Sequence, residues 1–180
     1  MRLSALAILA TAALLCVVES AAAYDVPARL SDVAHVYSLG VGEVRCDSAD
    51  EWAADPASRV AWSYTNLRHD YSVLPPFLCA GALGVGEPDV PLWQQAAGAW
   101  TLVHESFHLR HWRFRRNEGK VLCQAIVYFT DAAVHLGATE QEANELYPYA
   151  LALYGQITQL YPWDRDPACV VPPWILPPRA

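Results

Sequence analysis

His104, Glu105 and His108 form the pattern His-Glu-x-x-His within a stretch that reads as helix. Four residues along a helix place the two histidines one turn apart on the same face, so both imidazoles can reach one metal ion. A zinc ion lowers the pKa of its bound water to about 7, and a neighbouring carboxylate can then accept the proton. The pattern therefore predicts zinc at His104 and His108, with Glu105 as the general base. The alternative is an incidental histidine pair.

A catalytic zinc ion usually has three protein ligands, so one more is needed. His111 follows His108 by three residues, but three ligands on one straight helix would spread over about 10 Å of its axis, too far for one ion. We therefore expect His111 to be exposed, or alternatively to contact a ligand or the substrate. Glu118 begins the next predicted helix, and a helical hairpin would fold it back over the histidines. The predicted metal ligands are His104, His108 and Glu118.

Three long helices must position these residues, and capping signals indicate where they begin and end. Pro91 suits the first turn of a helix, and Gly137 is typical of the position after a helix end. Thr139 and Glu142 have the spacing of a capping box, in which each side chain bonds the backbone N–H of the other residue. The predicted helices cover about 91–114, 118–135 and 139–161.

Shorter elements are predicted in the N-terminal half. Aromatic and β-branched residues at 60–65 and 71–74 indicate two antiparallel strands, whose edge beside the metal helix can hold an extended substrate through backbone hydrogen bonds. We therefore expect a mainly α fold with a small antiparallel β-sheet, an α+β class. The other short elements are helices within 24–42, 47–55 and 77–83 and a strand at 41–45.

Residues 1–23 have the features of a secretory signal peptide. Arg2 precedes an apolar run, and Ala21 and Ala23 supply the small residues of a cleavage site. The run, Leu3–Val18, is shorter than the roughly 20 residues of a membrane-spanning helix, which would be the alternative. We therefore expect a chain that begins at Tyr24, is secreted to the extracellular space or cell envelope, and is not inserted in a membrane.

Four cysteines follow this segment, and an even number in an exported chain predicts two disulfides. Of the three possible connectivities we favour Cys46–Cys79 and Cys123–Cys169, because each would link one half of the chain locally. A cysteine-ligated zinc site is the alternative, but no C-x-x-C spacing supports it. The second disulfide would hold the Pro-rich tail, 162–180, against the helices, and Trp163 and Trp174 would help to pack it there.

The formal net charge of −7, without large basic clusters, argues against nucleic acids and anionic lipids as partners. Four arginines directly after the histidine motif are the local exception. They fit either a solvated helix end, where cations suit the helix dipole, or a cationic rim that recognises an acidic group of a substrate. These residues are Arg110, Arg113, Arg115 and Arg116.

Other residues that can do chemistry are expected to be structural. His35, His69 and His135 lie outside any motif, where a hydrogen-bonded or surface histidine is more usual than a ligand. The third long helix carries several tyrosines, of which one can donate to a transition-state oxyanion and the others would pack. These tyrosines are Tyr147, Tyr149, Tyr154 and Tyr161.

Asn117-Glu118 resembles the Asn-Glu that supplies the third zinc ligand in gluzincin peptidases. In that family an acidic residue four positions after the glutamate orients a ligand histidine, but this chain has Leu122 there. Asp131, Gln124 or a backbone carbonyl are the possible substitutes.

The whole chain after residue 23 also resembles small secreted actinobacterial proteins of unknown function. The resemblance implies a zinc peptidase-like protein with a zincin-like minimal core, in which a histidine helix adjoins a ligand helix, and it supplies no known substrate. We expect cleavage of a peptide or another amide bond, with a peptide or protein as the substrate. It rests on Cys46, Trp52, Cys79, the segments 104–110, 117–118 and 123–125, and Leu136-Gly137.

The sequence thus predicts a signal peptide (1–23), a disulfide-stabilised zincin-like domain (24–161) and a packed Pro-rich tail (162–180). The first functional hypothesis is a secreted zinc metallopeptidase in which Glu105 is the general base. The second is a secreted zinc-binding structural or interaction module without turnover, which Leu122 favours. The third is a disulfide-stabilised binding protein without a metal. Oligomeric state is not encoded in any of these patterns.

Overall fold

The computed structural model describes residues 26–59, 61–110, 114, 117–162 and 166–171. The predicted signal peptide and most of the Pro-rich tail, with Trp163 and Trp174, lie outside these residues. So do His111 and three of the four arginines of the proposed rim: Arg113, Arg115 and Arg116.

Helices make up most of the described chain, as predicted. A 3-10 turn, Pro56–Arg59, follows the second helix. The α-helices are α1 (Val26–Ser38), α2 (Ala49–Ala54), α3 (Pro76–Leu83), α4 (Leu92–Arg110), α5 (Glu118–Val127), α6 (Phe129–His135) and α7 (Glu140–Leu160).

The sheet contains three short strands: β1 (Glu43–Cys46), β2 (Tyr64–Asn66) and β3 (Tyr71–Leu74), in the order β1-β3-β2. β2 and β3 pair antiparallel, as predicted, but β1 pairs with β3 in parallel. The expectation of a wholly antiparallel sheet is therefore wrong. A parallel pair needs a crossover connection, and α2 with the following turn supplies it between β1 and the β2–β3 hairpin.

The predicted helix over 118–135 is interrupted at Tyr128, which separates α5 from α6. Its backbone (φ −98°, ψ 7°) departs from helical values, although Tyr128 N–H still bonds the Gln124 carbonyl. The Tyr128 ring lies 6.1 Å from that of Tyr37 and 5.7 Å from that of Phe107. These aromatic contacts favour the local distortion. The capping box of Thr139 and Glu142 begins α7, as predicted.

α4 lies at the centre of the fold, in contact with α1, α3, α5, α6, α7 and the sheet. Fourteen of its residues are buried. It can approach α3 closely because a Cβ at Gly98 would collide with the backbone of Leu78 and Ala82 on α3. A helix surrounded in this way provides rigid support for the side chains that project from its second half.

Two disulfides tie the periphery to this core. Cys46 at the end of β1 bonds Cys79 on α3, with 5.8 Å between the Cα atoms. Cys123 on α5 bonds Cys169, with a Cα separation of 5.6 Å. This is the connectivity favoured from the sequence.

Within the described residues, no helix combines the length and the apolar character needed to cross a membrane.

Candidate metal centre

Two helices supply the predicted metal ligands. His104 and His108 project from the last two turns of α4, where His104 is buried and His108 is partly buried. α5 begins at Glu118 because the Asn117 side chain accepts a hydrogen bond from the Lys120 N–H at 3.0 Å. This cap places Glu118 in the first turn of α5, directly opposite the two histidines.

The three ligating groups converge on one point. His104 Nε2 lies 3.2 Å from His108 Nε2. The Glu118 carboxylate faces both rings: Oε1 is 3.1 Å from His104 Nε2, and Oε2 is 3.2 Å from His108 Nε2. One donor atom from each residue lies within 4.8 Å of the others, so the group can hold a metal ion. The folding of Glu118 over the histidine pair agrees with the helical hairpin expected from the sequence.

The electrostatics of the group favour an ionised glutamate. Burial alone would raise the pKa of the Glu118 carboxyl, but hydrogen bonds and charge from His104 and His108 outweigh burial and hold this pKa well below its ordinary value. A carboxylate that stays charged, beside two imidazole nitrogens, is a donor set suited to first-row transition metals.

The support of His104 differs from that of most ligating histidines. Such residues usually donate their second ring N–H to a carboxylate or carbonyl. Here His104 Nδ1 is buried without a hydrogen-bond partner among the described residues, and the Trp100 ring stacks on the imidazole at a centroid distance of 5.2 Å. Leu122 stands on α5 at the position where gluzincin peptidases have an acid. Asp131, one of the substitutes considered, instead accepts a hydrogen bond from Tyr37.

Glu105 is held by two hydroxyl groups, one on β2 and one on the residue directly before it. Ser63 Oγ donates to Glu105 Oε1 at 2.5 Å, and Thr65 Oγ1 donates to Oε2 at 2.6 Å. Thr65 Oγ1 also lies 2.9 Å from Ser72 Oγ on β3. The Glu105 side chain is only 3% exposed, so these bonds fix the direction of its carboxylate. Ser63 and Thr65 therefore form part of the immediate surroundings of Glu105.

Ser63 and Thr65 were not among the residues predicted for the site. Their signal in the sequence is weak but present: two hydroxyl residues two positions apart point to the same face of an extended segment. Nothing local shows that this face meets α4, because the contacts with Glu105 span 40 and 42 residues.

A cavity of about 510 Å³ opens beside the ligating group. His104, Glu105 and Glu118 all contribute to its wall. A molecule in this cavity would therefore reach both the metal position and the glutamate of the motif. Of the four tyrosines considered as oxyanion donors, Tyr161 lines the cavity, whereas Tyr147 and Tyr154 are buried in the core.

The remaining described histidines lie elsewhere and make other contacts. His35 Nε2 bonds the Gly42 carbonyl at 2.6 Å, and His69 stacks on Tyr71. His135 Nδ1 lies 3.3 Å from the Tyr37 hydroxyl. These contacts agree with the structural roles expected for them.

Comparison with known proteins gives no relative: no protein-family model, no curated protein and no solved structure matches this chain.

Proposed function

We propose that this protein is an exported zinc-dependent metallopeptidase that hydrolyses peptide bonds, with Glu105 as the general base. One observation carries the proposal. His104, His108 and Glu118 converge from two helices, and Glu105 lies in the wall of the same cavity. An incidental histidine pair would have no reason to meet a capped glutamate from the next helix beside an open cavity.

The spacing of the donors supports zinc. A tetrahedral ion about 2.1 Å from each donor would separate the donors by about 3.4 Å. The two histidine Nε2 atoms are 3.2 Å apart, and each lies 3.1 or 3.2 Å from a different oxygen of Glu118. With one atom from each residue the three donors lie within 4.8 Å of one another, so side-chain adjustment would bring them to this spacing. Three protein ligands leave a fourth position for water, which is the arrangement of catalytic rather than structural zinc.

The metal ligands, Glu105 and the residues around it would each have a separate role in the reaction. A bound zinc ion would lower the pKa of its water to about 7 and polarise the substrate carbonyl. Glu105 would accept the proton of the attacking water and transfer it to the leaving amine nitrogen. Ser63 and Thr65 hold the Glu105 carboxylate by both oxygens, so little reorientation would be needed before the transfer. The unpaired side of β2, one of the two edge strands of the described sheet, would align an extended peptide through backbone hydrogen bonds.

Export is supported by the disulfides and by the leader-like segment. Disulfides persist in oxidising compartments and are rare in the cytosol. Both pairs join segments far apart in the chain, with sequence separations of 33 and 46 residues, and are therefore structural links.

A second candidate is a zinc-binding module without turnover. It is favoured by Leu122 and by the unpartnered Nδ1 of His104, because hydrogen-bonded support of a ligand is typically worth 10–100-fold in metal affinity or activity. The two candidates share the metal and differ in the role of Glu105.

The deciding experiment combines zinc content with peptide cleavage in the full chain, purified with its disulfides formed. Elemental analysis should find one zinc per chain in the wild type and in Glu105→Gln. Cleavage of a mixed peptide library, read by mass spectrometry, should fall by at least about 100-fold in Glu105→Gln. Glu87→Gln is the matched control, because Glu87 is exposed and far from the motif in sequence.

Three results are informative. Zinc in both proteins with cleavage in the wild type alone supports the peptidase. Zinc in both with no cleavage by either supports the module. Absence of zinc, even after incubation of the folded protein with zinc salts, refutes both.

A further inference from the structure

We infer that the cavity beside the ligating group is a subsite for a bulky, uncharged apolar side chain of a peptide. This names the substrate class of the proposed peptidase and so rests on that function. The residues that carry it line the cavity but have no role in the proposed metal chemistry.

One wall is an apolar stripe on α7. Leu153, Ile157 and Leu160 follow one another at intervals of four and three residues, which places them on one face of the helix. Leu160 is 69% exposed, and the other two are partly exposed. The stripe therefore continues beyond the protein core into the cavity, where none of the described residues covers it fully.

Two further apolar residues outside α7 line the cavity. Trp62, two residues before β2, is 67% exposed. Leu122, one turn after Glu118 on α5, is buried and also lines the cavity. The residue that departs from the gluzincin pattern is thus part of the apolar lining. Large apolar groups left in water at the rim of a pocket are typical of binding sites.

The charges of the cavity disfavour an ionic side chain. No lysine or arginine lines it among the described residues. Its two acids are engaged: Glu105 accepts the Ser63 and Thr65 hydroxyls, and Glu118 faces the two histidines. An acidic side chain against the apolar wall would find no lysine or arginine partner among the described lining residues, and a basic side chain would lose hydration against Leu153, Ile157 and Leu160.

The cavity is large enough for more than a single side chain. Its volume of about 510 Å³ lies within the roughly 300–1,000 Å³ that is usual for ligand pockets. It can therefore hold an apolar side chain together with the adjoining peptide unit that would approach the metal.

The test measures binding separately from turnover. The probes are N-acetylated, C-amidated tripeptides with glycine at both ends and leucine, phenylalanine, alanine, aspartate or lysine in the centre. Binding is followed by calorimetry and by tryptophan fluorescence, because Trp62 and Trp100 line the cavity. Metal-free wild type and zinc-loaded Glu105→Gln are both used. Leucine and phenylalanine peptides should bind at least about tenfold tighter than the aspartate and lysine peptides.

Leu160→Asp should remove this preference, since it places a charge in the apolar wall at an exposed position that folding does not need. Ala152→Asp is the matched control on the same helix, because Ala152 is exposed and does not line the cavity. Leu160→Asn is a second, uncharged variant that should weaken the preference if the aspartate variant folds poorly by circular dichroism.

Equal affinity for all five peptides, tighter binding of a charged one, or an unchanged preference in both Leu160 variants would overturn the inference. Its failure is distinct from that of the proposed function. If apolar peptides bind but zinc does not, the result supports the subsite and refutes the peptidase. If all five peptides are cleaved equally well, the result supports the peptidase and refutes the subsite.

Discussion

Replacing Thr65 with valine should weaken the link between the sheet and α4. Thr65 Oγ1 donates to the nearly buried Glu105 carboxylate at 2.6 Å and lies 2.9 Å from Ser72 Oγ. Valine has the same shape but no hydroxyl, so Glu105 keeps only the bond from Ser63. The change removes a hydrogen bond to a charged group without leaving a large cavity.

The size of the effect follows from those contacts. A hydrogen bond to a charged group contributes about 1.5–3 kcal/mol, so Thr65→Val should lower the free energy of unfolding by about 2 kcal/mol. For a domain of this length each kcal/mol shifts the melting temperature by about 2–4 °C, which predicts a loss of roughly 4–8 °C. The assay is urea and thermal unfolding of the metal-free, disulfide-bonded protein, followed by circular dichroism.

Thr65→Ser is the matched control because it keeps the hydroxyl and removes only a methyl group. It should cost less than about 1 kcal/mol. The reasoning is refuted if the valine and serine variants unfold with free energies that agree within about 0.5 kcal/mol, since the hydroxyl would then contribute nothing measurable. If the proposed peptidase is active, the valine variant should also lose turnover while retaining zinc, because Glu105 would no longer be held by both oxygens.

Three further predictions follow from other contacts. Glu118→Ala removes one of three donors and should weaken zinc binding, measured by chelator competition, by more than about 100-fold; unchanged affinity would exclude this ligand. Replacing Cys123 and Cys169 together with serine should lower the free energy of unfolding in urea by about 2–4 kcal/mol, and equal stability would contradict a structural role. Burial raises the pKa of Tyr147 to about 12, and its hydroxyl has no partner among the described residues. Because the native state then holds this proton more tightly than the unfolded state, stability should fall as pH rises from about 10 to 12. Tyr147→Phe should be neutral or stabilising at pH 8, within about 0.5 kcal/mol, and should reduce that alkaline loss; an identical loss in both proteins would contradict this.

The convergence of His104, His108 and Glu118 could be predicted because most of its signals are local. The spacing of His104 and His108 follows directly from helical periodicity, and Asn117 marks the start of α5 just before Glu118. Only one step, the return of α5 over α4, required a tertiary assumption. Short connections between helices make such a hairpin the simplest arrangement.

The surroundings of Glu105 could not be predicted in the same way. Its partners Ser63 and Thr65 lie about 40 residues earlier, and their contact depends on which face of β2 packs on α4. The parallel pairing of β1 likewise depends on a crossover whose path no residue pattern specifies. The interruption at Tyr128 arises from ring contacts with α1 and α4 rather than from a helix-breaking residue.

The Cys123–Cys169 bond affects when the proposed metal site could take up zinc. Cys123 lies five positions after Glu118 on α5. The helix that carries Glu118 is therefore held covalently by the disulfide as well as by its Asn117 cap. Anchoring before the ion arrives reduces the entropy lost on coordination. Newly made chains with reduced thiols should therefore compete poorly for zinc, and metallation would follow oxidative folding rather than precede it.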